Sequence, residues 1–333
     1  MVGPLQHAIS DQETTVVYRG DTSGRRRFAS LRMVLSTIEE SYFITKNVLD
    51  HAVGVTERLA FGQKYLPSRL ARYRGQKRVA FLYHGYAQGR WAFERLERLL
   101  ESEPFNVFSV CGGYQPYSQD IRRSAEYELR TMEYVLSQTD AQEIILIGHS
   151  QGGLIARYLL QALGVTAVAN VTRAIYLCTP HRGTWAACAG VAHGVAAHTL
   201  ARIPGVGRRV ELSGESALQM IPGSAFLDDL NARALPTQVA HTNLYNYLDP
   251  LVWPPRFARL PYPEATNVLF RKIGHLHALY DIQELEVILR SILVPAGSSH
   301  DRSRAILQDQ PVIEERVHHG EDAEYEEFVA GSD

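Results

Sequence analysis

Cysteine is scarce in this chain: Cys111, Cys178 and Cys188 are the three among 333 residues. Odd in number and scattered, they fit neither a disulfide framework nor a zinc site of paired-cysteine spacing, and they read as small apolar packing residues. Long apolar runs are missing as well. The longest candidate, about Trp185 to Val206, is broken by His193, His198 and Arg202, so it is too polar to span a bilayer. Met1 to Arg27 is polar throughout, without the apolar stretch of a secretory signal. The expected location is therefore cytoplasmic, with non-Sec export left open. Nor does one sign of charge prevail: the net charge of -2 argues against a nucleic-acid partner.

What is present is an ordinary core-forming composition, 45% hydrophobic and 21% charged, suited to one large α/β domain with additions. Residues 1–27 read as a flexible arm. Residues 28–77 read as an N-terminal helical extension, because Leu31, Val34, Ile38, Tyr42, Leu49 and Val53 recur near helical spacing. Within and just beyond it, Arg58, Lys64, Arg69, Arg72, Arg74, Lys77 and Arg78 are interleaved with apolar residues. This basic segment, 58–78, could rest on an anionic membrane surface or be the solvated face of a packed helix.

From residue 78 to 295 short apolar runs alternate with helical patterns. Strands are expected near 79–83, 106–111, 143–147, 174–178, 239–247 and 267–271, and helices near 92–101, 121–136, 151–163 and 282–293. Such alternation predicts βαβ units, hence a mostly parallel central sheet with helices on both faces. Between 184 and 238 the alternation stops, and a helical, lid-like insertion is expected there. Residues 296–333 carry many acidic and few apolar residues, and an unstructured tail is expected.

The run IILIGHSQGG, residues 144–153, carries the chemistry. A strand enters Gly148, His149, Ser150, Gln151, Gly152 and Gly153, and an apolar helix follows. A G-x-S-x-G pattern in that setting lifts a serine hydroxyl out of the sheet on a turn that only small flanking residues allow. The sequence here resembles the α/β-hydrolase family, in particular bacterial lipases and esterases, over about residues 78 to 293. The resemblance implies a Ser-acid-His triad, no cofactor and no metal.

It assigns the nucleophile to Ser150. One oxyanion donor is the backbone N–H of Gln151. The other is that of Tyr86 in VAFLYHGYAQG, where His84 and Gly85 resemble the short lipase oxyanion loop. The segment IGHLHALYD is similar to the catalytic-histidine segment of small bacterial lipases and puts the base at His275, with His277 the rival. In VAHTNLYNYLDPLVWPP, Asp249 follows a strand and is the expected acid, ahead of Asp228, Asp229 and Asp281. CTPHRGTWA is similar to a segment beside the elbow in that family, with His181 a structural hydrogen-bonding residue. Met220, Ile221, Phe226 and Val252 are candidate substrate-binding residues, with packing into the core the alternative for those of the insertion.

These features imply a lipase-like serine ester hydrolase acting on an acyl ester or lipid. An acyltransferase, thioesterase or phospholipase could use the same triad. A non-catalytic interaction protein built on this scaffold is the alternative from another class.

Overall fold

Why the apolar runs become central strands is visible in their burial. The computed structural model of the chain describes residues 15–18, 37–38, 40–42, 45–46, 70, 75–191 (except 87, 103–104, 112–116, 118 and 168), 214–294 and 312–315. Its strands are β1 Thr15–Tyr18, β2 Arg78–Tyr83, β3 Phe108–Cys111, β4 Glu143–His149, β5 Val171–Leu177, β6 Ala240–Leu248, β7 Thr266–Ile273 and β8 Val312–Glu315. They form one sheet in the order β3-β2-β4-β5-β6-β7-β1-β8. Every neighbouring pair is parallel except β1 and β8. The helices are α1 Glu94–Glu101, α2 Ile121–Gln138, α3 Gln151–Gln161, α4 Glu215–Gln219, α5 Ala225–Ala232 and α6 Ile282–Leu293.

Alternate residues of one strand feed two different cores. Val79, Phe81, Ile144 and Leu146 pack with Ile121 and Met132 of α2 and with Ile155 and Leu159 of α3. Ala80, Leu82, Ile145 and Ile147 pack on the other face with Leu96 of α1 and Ile288 of α6. A strand covered on both faces needs apolar residues at every position, which is why β2 and β4 read as continuous runs. Each of the Val, Leu, Ile, Phe and Met side chains among them contributes about 1.5–3 kcal/mol by burial. The crossovers leave the C-terminal ends of β4, β5, β6 and β7 side by side, and there the chain turns toward the candidate site.

Several expectations change. The arm and the tail contain β1 and β8, which extend the sheet beyond β7. Thr15, Val16 and Val17, like Val312 and Ile313, are short β-branched runs that a growing sheet can pair, and the acidic average of the tail concealed one of them. In the extension, Ile38 and Tyr42 are exposed, whereas Glu40 between them is 3% exposed, so the apolar stripe does not face inward there. Most of the extension, including Arg58 to Arg69 of the basic segment, lies outside the described residues. At its end, Arg78 is engaged internally, its Nε 3.0 Å from Glu143 Oε2.

Of the insertion, residues 192–213 lie outside the described residues, and the rest carries α4 and α5. Among the described residues no helix is long and apolar enough to cross a membrane.

Candidate active site

The elbow is built from glycines because neighbouring atoms pass too close for anything larger. A Cβ on Gly152 would stand 1.9 Å from Tyr83 O, one on Gly153 1.9 Å from Thr179 Oγ1, and one on Gly148 2.5 Å from Gly153 N. Between them Ser150 has φ 54 and ψ -125, a left-sided conformation that costs a non-glycine residue about 1–3 kcal/mol. Ser150 precedes α3 directly, and its N–H donates to Leu177 O at the end of β5 (2.8 Å). Tyr117 and Cys178 also have positive φ, so three strained residues gather around this turn.

The loop after β2 lies against the elbow. A Cβ on Gly85 would be 3.0 Å from Ser150 Cβ and 2.7 Å from Gln88 Oε1, so Gly85 is required for the approach. Gln88, buried, holds the two pieces together: its Oε1 accepts from Gly85 N–H (2.6 Å) and lies 3.0 Å from His149 Nδ1. Gln151 is fixed on its other side by donating from Nε2 to Tyr117 O (2.6 Å). His84 stacks on Tyr117 with ring centroids 4.2 Å apart.

Asp249 and His275 meet directly. His275 Nδ1 is 2.7 Å from Asp249 Oδ2, and the other carboxylate oxygen accepts from the N–H groups of Leu251 (2.8 Å) and Val252 (2.9 Å). Both residues are buried. Asp249 accepts at Nδ1–H, which assigns the tautomer and leaves the Nε2 lone pair for another proton. Burial pulls the His275 pKa down, but the charge and hydrogen bond of Asp249, helped by Glu40 and Glu284, outweigh it and hold the pKa above the ordinary imidazole value.

The imidazole loop is joined to the elbow through His149, whose Nε2 lies 3.0 Å from His275 O and whose ring centroid is 4.8 Å from that of His275. Burial, then the neighbouring His275, push the His149 pKa well down, so this ring stays neutral and structural.

The other candidate acids separate from this cluster. Asp281 caps α6 by accepting from Gln283 and Glu284 N–H, and it pairs with Lys272 at 2.6 Å. Asp229 pairs with Arg233 on the surface, and Asp228 is exposed. The N–H of His277 donates to Glu40 Oε2 (2.9 Å). His181 bonds Asn243 Oδ1 through Nε2 (3.1 Å) and faces the buried Arg157 through Nδ1 (3.4 Å). Met220 and Phe226 sit in the core shared with α3, Ile221 packs against its edge, and Val252 belongs to a small cluster with Tyr245 and Leu269. Met220, Phe226 and Val252 are thus packed side chains in this structure, and Val252 also supplies its N–H to Asp249.

Sequence reasoning missed Gln88, Glu40 and Cys178. Gln88 sat in the quoted loop, and its spacing of three from Gly85 was the available signal. Cys178 follows β5; its Sγ, an Asp249 oxygen and a His275 nitrogen lie within 4.8 Å of one another. Burial, then Asp249, keep this thiol protonated, so it can donate toward the carboxylate. The same three atoms could hold a soft cation only if His275 surrendered its bond to Asp249.

A sequence profile of the alpha/beta hydrolase family matches residues 79–330, well over half of the chain. No curated protein matches it. Among solved structures, lipase B of Aspergillus fumigatus has a TM-score of 0.50 at 15% identity, over 71% of this chain and 58% of that one. The lin2722 gene product of Listeria innocua has a TM-score of 0.48 at 10% identity, over 67% and 96%. The Bacillus licheniformis lipase BlEst2 in its propeptide form has a TM-score of 0.46 at 18% identity, over 68% and 52%. The chain thus spans little more than half of either lipase, and at these identities the likeness concerns the fold. With the matched profile, the sheet order and the strained serine elbow in agreement, the chain belongs to the alpha/beta hydrolase family.

Proposed function

We propose that the protein is a serine carboxylic-ester hydrolase of lipase type. The observation that carries this reading is the 2.7 Å bond between Asp249 and His275, on a loop that touches the residue preceding the elbow serine. Ser150 Oγ attacks the acyl carbonyl as its proton passes to His275 Nε2. Asp249 stabilises the imidazolium. The oxyanion is received by the N–H groups of Tyr86 and Gln151, each worth about 3 kcal/mol in comparable sites. Collapse expels the alcohol with the proton from His275, and water repeats the sequence on the acyl-enzyme to release the acid.

Turnover of p-nitrophenyl esters from acetate to palmitate tests both parts of this proposal. Ser150→Ala should abolish hydrolysis while the circular dichroism spectrum is unchanged; retained turnover removes the assignment. A rise in kcat/KM toward longer chains supports the lipase subclass, and a steep preference for acetate ends it. Product analysis with a competing alcohol separates hydrolysis from acyl transfer.

A further inference from the structure

The segment ahead of β2 places one carboxylate inside the machinery. Glu40 is 3% exposed and accepts from three consecutive backbone N–H groups: His275 (3.0 Å) and Leu276 (2.9 Å) on Oε1, His277 (2.9 Å) on Oε2. These are the amides of the imidazole-bearing loop. Gly274, at φ +145, leaves room for it, since a Cβ there would stand 3.3 Å from Glu40 Oε2. A second contact comes from the same segment, with Lys46 Nζ 5.9 Å from the Tyr280 ring centroid. The far side of the loop is tied down independently: Asn246 Nδ2 donates to Gly274 O (2.8 Å) and lies 3.2 Å from Glu284 Oε1, which Lys272 neutralises at 3.0 Å.

We propose that Glu40 is a positioning residue for His275, so that the N-terminal segment is a working part of the active site and not a detachable arm. The inference rests on the reading of His275 as the base. A buried carboxylate answering three adjacent amides fixes the backbone from which the imidazole projects, and its charge lies close enough to favour the imidazolium formed in each half-reaction. The His275 and Leu276 amides are bonded to it in buried surroundings, where an amide left without a partner is costly. Glutamine has one acceptor end and one donor end, so it cannot satisfy both sides of the loop. Aspartate keeps the charge and both acceptors but is one methylene short.

The test uses the full chain with Glu40→Gln and Glu40→Asp, and Glu286→Gln on the outer face of α6 as a surface-charge control. Two readouts are needed: kcat and KM against pH on a p-nitrophenyl ester, and the His275 imidazole resonance titrated by NMR. Glu40→Gln should lower kcat by roughly 10- to 100-fold, the scale of a displaced reacting group, with KM changed by less than about twofold. Its His275 titration and the acidic limb of its kcat/KM should both move to lower pH.

Glu40→Asp should recover much of kcat and keep the titration near that of the unaltered protein. A Glu40→Gln protein with unchanged kcat and an unchanged titration overturns the proposal, as does a loss shared equally by Glu40→Asp with no movement of the titration. If the unaltered protein hydrolyses no ester while Glu40→Gln still shifts the His275 resonance, the hydrolase reading fails and the positioning role stands.

Discussion

His275 and His181 are both fully enclosed, both follow strands of the same sheet edge, and both face a residue of the β6 segment, yet their surroundings point them to opposite uses. His275 faces Asp249 through Nδ1 at 2.7 Å. His181 faces Asn243 through Nε2 at 3.1 Å, with Arg157 at its Nδ1. The first ring therefore has its pKa raised despite burial, by Asp249 above all. The second has its pKa pushed well down, by burial first and then by the guanidinium. One carboxylate in place of an amide, and one cation absent, separate a ring able to store a proton for a moment from a ring held neutral as a spacer. Burial alone does not make a catalytic histidine.

The largest test of that contrast is Asp249→Asn. Its Oδ1 can still accept from Leu251 and Val252, so the turn should persist while the charge is lost. A fall of about 10²–10⁴ in kcat is expected by comparison with other triads, with the acidic limb of kcat/KM moving to lower pH; rate measurements across pH check both. A kcat within threefold of the unaltered protein, roughly, would mean that Asp249 does not govern the ring.

The reciprocal change, Asn243→Asp, should raise the pKa of His181, seen by NMR, without conferring activity on Ser150→Ala. It removes the Nδ2 donor to Ala258 O and Asn267 Oδ1, and a destabilisation of about 1–3 kcal/mol should appear in urea unfolding.

A smaller effect concerns stability against pH. His149 and His181 have depressed folded-state pKa values. Their contribution is therefore present above the ordinary imidazole value of 6.5 and is lost as the pH falls below it. His275 has the opposite sign: what its raised pKa contributes is present below that value and is lost as the pH rises through its folded pKa. Urea midpoints should decline on acidification, and decline less steeply in His181→Gln. Smallest of all, Glu286→Gln breaks a half-buried i,i+4 pair with Arg290 on α6, and should cost about 0.5 kcal/mol or less in the same assay.

How much of this was legible in the sequence follows from how local each feature is. Ser150 and its glycines were readable because the steric demand of the elbow falls on neighbours within four positions. The strands β2 and β4 were readable because burial on both faces leaves unbroken apolar runs. Asp249 and His275 needed the family resemblance to be chosen among many acids and thirteen histidines, since their pairing spans 26 residues.

Glu40 was invisible. Its partners lie 235 to 237 residues away, and the helical pattern around it placed Ile38 and Tyr42 inside when the carboxylate is the buried member. Arg157 was hidden for a related reason, as one cation within an apolar helix whose satisfaction comes from Asn231 and Tyr262. The strands β1 and β8, added beyond β7, were missed because four-residue pairing signals are lost in the averages of a polar arm and an acidic tail.

The most direct measurement of the central claim is intact-mass and peptide mapping after a fluorophosphonate probe. One adduct on Ser150 is predicted, absent in Ser150→Ala and formed far more slowly in His275→Ala. No adduct on the folded protein, or one that maps to another residue, would contradict the account.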